Sequence, residues 1–184
     1  MKKIIETERF YLREILPTDV DGLFELDSDA DVHRYLGNNP VNNKNQIVDV
    51  ISFIRQQYID NGIGRLAIIE KESNGFVGWA GLKLITETTN NNIDFYDLGY
   101  RLIKKYWNKG IGTEVASATL KYAFDELNLT EVYAMADCDN VGSNKILKKI
   151  GFDFIETFDL DEIQHNWYKI ERENYYIQQN DDLD

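Results

Sequence analysis

Residues 94–127 read DFYDLGYRLIKKYWNKGIGTEVASATLKYAFDEL, and the fold is decided there. Tyr96, Leu98, Tyr100 and Leu102 alternate with Phe95, Asp97, Gly99 and Arg101, the period of two of a strand whose faces differ. Gly99 makes that strand irregular or lets another group approach its backbone. Beyond the loop from Lys104 to Gly112, Ala116, Thr119, Leu120, Ala123 and Leu127 recur at helical spacing. The strand thus passes into a helix through glycines. The first N–H groups of a helix lack intrahelical partners and carry the positive end of its dipole, so glycines there let a phosphate reach the backbone. Lys104, Lys105 and Lys109 add positive charge at this point, although the chain's 20 basic and 32 acidic residues leave a net charge of -12.

Upstream, Arg9 to Glu14 alternate as a strand with Phe10, Leu12 and Ile15 as its apolar residues, ended by Pro17. Thr18 offers an N-cap to a helix over roughly Asp19 to Leu26. A helical turn around Val32, Tyr35 and Leu36 precedes the polar loop Gly37 to Asn43. Ile47, Val50, Ile51, Ile54 and Tyr58 predict a helix over Lys44 to Asp60, ending near Gly62. Leu66 to Ile69 and Phe76 to Leu84, interrupted by Ser73, Asn74 and Gly75, predict a hairpin. Downstream come a strand over Val132 to Ala136, a helix over Gly142 to Ile150 capped by Gly151, and strands over Phe152 to Phe158 and Asn166 to Glu171. Antiparallel hairpins mixed with crossover helices predict one α/β or α+β domain over residues 1–177, a mixed sheet with helices on both faces. Gln178 to Asp184 reads as a frayed acidic tail.

Composition narrows the function. The 184 residues suit one domain, and 43% hydrophobic with 28% charged residues describes a soluble globular protein. No apolar run approaches membrane-spanning length. Met1 to Glu8 carries charges in place of the apolar core of a signal peptide, so a cytoplasmic location is expected. Cys138 is the only cysteine, which excludes an internal disulfide and a cysteine-based zinc cluster. His33 and His165 are too few and too far apart in sequence to suggest a metal site. The acidic balance argues against nucleic-acid binding and favours a cationic partner. No Gly-Lys-Ser/Thr follows Gly110 at the spacing of a Walker-type phosphate loop.

Five pieces, in order, carry a resemblance. Residues 7–13 (TERFYLR), residues 34–37 (RYLG) and residues 97–100 (DLGY) resemble the opening, helix and central strand of the GNAT acetyltransferases. Residues 106–114 (YWNKGIGTE) are similar to the acetyl-CoA pyrophosphate loop of that family's ribosomal-protein alanine N-acetyltransferase branch. Asn140, Ser143, Leu147, Gly151 and Phe152 resemble its second cofactor motif. The resemblance spans about residues 7–172 and implies a mostly antiparallel sheet of about seven strands with a splayed central pair. It implies that Asn108, Lys109, Gly110, Ile111, Gly112 and Thr113 hold the pyrophosphate of acetyl-CoA. It further implies that Arg101, Leu102 and Ile103 pair with the pantetheine arm, that Asn140 hydrogen-bonds it, and that Ser143 sits near the thioester sulfur.

Amine attack on a thioester needs a base for the amine, a stabilised oxyanion and a donor for the leaving sulfur. The resemblance assigns Asp97 as base and Ser143 as proton donor. The alternatives are a strand-end carboxylate and a helix-capping hydroxyl. Two departures stand out. Trp107 replaces the Arg or Gln that many relatives place in the loop, and Leu147 stands where many place a tyrosine as general acid. Leu36 to Asn45 and Asp159 to Tyr168 are implied as walls of the amine site. The acidic cluster Glu156, Asp159, Asp161 and Glu162 is either a steering patch or a solvated face. The expected activity is acetyl transfer from acetyl-CoA to a protein N-terminus, by a monomer or homodimer without metal. A polyamine or aminoglycoside acetyltransferase is the alternative within the class, and a non-catalytic acyl-CoA-binding module the alternative outside it.

Overall fold

Leu66 and Ile68 pack on one face of the sheet and Ala67 and Ile69 on the other, so this apolar run is buried from both sides. In the computed structural model, which describes residues 3–181, the run forms β3 (Arg65–Glu70). The other strands are β1 (Lys3–Glu6), β2 (Phe10–Glu14), β4 (Phe76–Ile85), β5 (Phe95–Leu102), β6 (Glu131–Asp137), β7 (Asp153–Leu160) and β8 (Ile163–Glu171). They form one sheet of eight strands in the order β1-β2-β3-β4-β5-β6-β8-β7. The expected count of about seven is corrected by β1. That strand pairs Lys3 with Arg13 and Ile5 with Leu12, and its four charged-flanked residues are too short to show a period.

Every neighbouring pair is antiparallel except β5 with β6, which run parallel and are registered at a single pair, Asp97 with Tyr133. The central strands therefore separate beyond that point, as the resemblance implied. Helix α4 (Ile111–Asp125) and helix α5 (Val141–Lys149) cover one face, where Ala116, Leu120, Phe124 and Leu147 pack on Leu82, Leu98, Val132 and Tyr168. Helices α1 (Val20–Asp27) and α3 (Lys44–Asn61) cover the other through Leu23, Leu26, Ile47 and Ile51. A four-residue helix, α2 (Ala30–His33), follows α1.

Two further expectations are corrected. Thr18 is not a cap: a 3-10 turn, Pro17–Asp19, precedes α1, and the buried Asp19 carboxylate accepts the Leu16 N–H at 2.7 Å and the Arg13 guanidinium at 2.6 and 2.8 Å. A charged partner inside the fold outcompetes a neutral hydroxyl at its surface. Gln178 to Asp181 are not frayed but belong to helix α6 (Arg172–Asp181), whose Tyr175 packs 5.1 Å from the Phe124 ring. One buried aromatic anchors a helix whose other apolar residues, Tyr176 and Ile177, are exposed, which leaves no amphipathic pattern to read. Asp182 to Asp184 lie outside the described residues.

Candidate active site

Where β5 and β6 part, a cavity of about 460 Å³ opens, lined from both faces of the sheet. Asp97, Gly99, Arg101, Arg65 and Trp79 line it on the α1 and α3 side, and Leu98, Tyr100, Ser143 and Leu147 on the α4 and α5 side. Leu36 and Gly37, together with Leu160, Asp161, Ile163 and His165, complete the wall. The cavity thus brings together Asp97, Arg101, Asn140 and Ser143 with parts of both segments expected around the amine.

The glycine loop has the geometry of an anion site. Asn108 (φ 58) and Gly110 (φ 73) take left-handed conformations that turn the chain into α4. The first bond of that helix is Glu114 N–H to the Gly110 carbonyl at 3.1 Å, so the N–H groups of Ile111, Gly112 and Thr113 are left for a ligand. No side chain caps this end. Gly112 also serves the packing, because a Cβ there would lie 2.9 Å from Ile146 Cδ1, and its bareness lets α5 pack against α4. The lysine signal is corrected. Lys104 pairs with Asp31 and Lys105 with Glu25 at 2.8 Å, carboxylates supplied by α1 and α2, which leaves Lys109, lying over the Tyr106 ring. Arg9, given no role on sequence grounds, donates to the Lys109 carbonyl at 3.1 Å and pairs with Glu114 at 2.7 Å, holding that acid beside the loop.

The strand before the loop offers fewer groups than expected. Ile103 donates its N–H to Val77 on β4 at 3.0 Å, and by alternation Arg101 faces β4 as well. Of Arg101, Leu102 and Ile103, only Leu102 turns its backbone to the slot, where Tyr100 joins it. Trp107 donates its indole N–H to the Leu102 carbonyl at 2.8 Å and so braces the loop on the strand. Asn140 caps α5: its Oδ1 accepts the Ser143 N–H at 3.1 Å, leaving its amide hydrogens available. Ser143 is therefore not the cap, and its hydroxyl lies 3.1 Å from Tyr100 Oη.

Asp97 is buried mid-strand, not exposed at a strand end. Gly99 explains its surroundings, because a Cβ there would lie 2.8 Å from the Arg65 guanidinium. Arg65 uses that space to bind Asp97 Oδ2 and the Asp97 and Gly81 carbonyls, whereas Asp97 Oδ1 makes no hydrogen bond. Burial pushes the Asp97 carboxyl up, against the pull of Arg65. Arg65 and Arg101 both lie over the Trp79 ring, at 5.2 and 5.1 Å, and Arg101 reaches on to Asp27 at 2.6 Å. Buried His33 lies 3.5 Å from the same carboxylate. Asn144, also missed, donates to the Asp137 and Asn140 carbonyls and accepts from Asn166 and Tyr168, tying β6, α5 and β8 together. A lone buried Arg or Asn leaves no periodic trace, although Gly99 was a sign of the close approach.

A family model described as the acetyltransferase (GNAT) domain matches residues 9–153. The chain belongs to this family. The acetyltransferase is 30% identical over 146 residues to the uncharacterised N-acetyltransferase p20 of Bacillus licheniformis, covering 79% of this chain and 80% of that relative. The crystal structure of a GNAT-family acetyltransferase from Bacillus anthracis matches with a TM-score of 0.76 at 25% identity, over 92% of this chain and 98% of that one. The spermidine N-acetyltransferase of Vibrio cholerae, solved with CoA and spermine, matches in fold with a TM-score of 0.74 at 15% identity, covering 92% and 99%. The enzyme is thus an acetyl-CoA-dependent N-acetyltransferase, and the residues fit that donor. The unpaired N–H groups at the start of α4 suit an anion such as a pyrophosphate, and the widening slot suits an extended amide-bearing arm. Among the described residues no His, Cys, Asp or Glu group could hold a metal ion, and no helix is long and apolar enough to cross a membrane.

Proposed function

We propose that the acceptor is the N-terminal α-amine of a protein, such as a ribosomal protein, and that Asp97 and Ser143 flank the transfer. The observation that carries this reading is a cavity running through the sheet, with the Asp97 carboxylate in its lining on one face and a hydroxyl pair on the other. Its volume of about 460 Å³ leaves room for the end of a chain as well as its amine. Similarity of the loop Tyr106 to Glu114 to the ribosomal-protein branch supports the choice of acceptor.

The geometry supports the following roles. Asp97, held by Arg65 through Oδ2, takes a proton from the incoming ammonium once the amine or a water reaches its buried, unbonded Oδ1. Burial brings its proton affinity closer to that of a working base. The C–N bond forms and the C–S bond breaks, with the bonding pair leaving on sulfur. Ser143 hydrogen-bonds that sulfur, and the proton given up by the amine returns to it through the carboxylate or water. The N–H groups of Ile111, Gly112 and Thr113 hold the pyrophosphate, joined by Asn108 and Lys109, while Leu102, Tyr100 and the Asn140 amide line the pantetheine arm. Incubation with acetyl-CoA and a panel of N-terminal peptides, spermidine and aminoglycosides, read by mass, tests the acceptor. Acetylated peptide α-amines are expected. Acetylation of the small amines alone would move the assignment to a polyamine or antibiotic acetyltransferase, for which Asp161 in the cavity wall would be the anionic contact for the cationic substrate.

A further inference from the structure

Leu147 is buried and carries no hydrogen to give, yet a hydroxyl reaches the same side of the slot from the sheet. Tyr100 Oη lies 3.1 Å from Ser143 Oγ and 3.3 Å from the Ser143 carbonyl, and both residues line the cavity. The ring is set by its place on β5 and by Gly112, where an added Cβ would lie 3.8 Å from it. Burial pushes the phenol up to about 12, against the pull of Ser143, so it keeps its hydrogen, for which Ser143 Oγ and the Ser143 carbonyl are both within reach. Ser143 has one hydroxyl hydrogen, and its N–H is already spent on Asn140.

We propose that Tyr100 is the positioning residue for Ser143: its O–H donates to Ser143 Oγ and so commits the hydrogen of Ser143 to the sulfur in the slot. The inference rests on the transferase reading and adds the group that orients its leaving-group contact. Tyr100 begins and ends the turnover protonated, since the proton that reaches sulfur comes from the amine. Were the bond reversed, with Ser143 donating to Tyr100, the sulfur would lose its partner.

The first test needs no acceptor. The thiol of coenzyme A bound to the protein is titrated by thiolate absorbance, with free coenzyme A as reference. A hydrogen bond to the charged sulfur lowers its pKa while burial raises it, so the deciding comparison is the bound thiol in the wild type against the bound thiol in the variants. Tyr100→Phe, which keeps the ring, and Ser143→Ala should each raise it by about one unit, and the double variant no more than Ser143→Ala alone. With an acetylated peptide in hand, Tyr100→Phe should lower kcat by about ten-fold at unchanged KM for acetyl-CoA, with no further loss in the Ser143→Ala background. The proposal is overturned by an unchanged thiol or a raised kcat in Tyr100→Phe, or by an equal effect in both backgrounds. If no amine is acetylated, the acceptor reading fails, while the thiol titration still decides the role of Tyr100.

Discussion

Asp97 pairs with Arg65 and, on the proposed reading, is also the base, and the two roles pull apart under mutation. Removing the carboxylate in Asp97→Ala leaves the Arg65 guanidinium, itself largely buried, without its counter-charge. Breaking a buried pair from one side costs about 3 kcal/mol, so a lower urea midpoint is expected, and lost activity has to be read on protein shown to be folded. The acid limb of kcat/KM should lie above the ordinary aspartate value of about 3.9, since burial raises this carboxyl. A limb at or below that value would assign the base elsewhere. His33 supplies a separate pH signature. Burial, followed by the charge of Arg101, lowers its pKa from 6.5, so the unfolded chain binds the proton more tightly than the native one. That penalty is absent above about pH 6.5 and grows as pH falls towards the lowered native value, flattening below both. Denaturation midpoints at pH 7 and pH 5 should therefore differ by less in His33→Gln than in the wild type.

At the scale of elements, the loop and α4 divide their glycines between two physical needs. Gly110 sits at φ 73, so Gly110→Ala places a Cβ in left-handed backbone, at about 1–2 kcal/mol, and should weaken acetyl-CoA binding by disturbing the N–H array. Gly112→Val instead meets Ile146, and Ile146→Ala should restore part of its lost thermal stability while leaving Gly110→Ala unrescued. Melting temperatures of the single and paired variants decide it. The elements most legible in the sequence were those with a clean period: β3 to β6, α3 and α4 stand close to where alternation and helical spacing put them. The geometry of the glycine loop was readable because a strand, glycines and a helix follow one another without interruption. The lysines of that loop misled, because sequence shows charge but not the distant carboxylates of Glu25 and Asp31 that consume it. The same holds for Arg65 and Trp79, which reach Asp97 and Arg101 only once β3, β4 and β5 lie side by side.

For the whole molecule, acetyl-CoA is a stabilising ligand that binds the native state alone. At about 100 times its dissociation constant it should add about 2.7 kcal/mol, a rise of about 5–10 °C for a domain of this size. Free coenzyme A should raise the melting temperature likewise and ATP should not, in a differential scanning experiment. The lone register pair between Asp97 and Tyr133 carries a mechanical meaning of its own. A sheet transmits force through its ladders, and here β1 to β5 meet β6 to β8 across a seam with one rung. Breathing motions concentrate at such a seam. A ligand arm laid along it stands in for the missing rungs, so the amides of Tyr100 and Leu102 should exchange quickly with solvent in the free enzyme and slowly once the arm is bound. On the proposed placement of its arm, the donor would also be a structural member, whose departure after each turnover would hand the two halves of the sheet back their freedom.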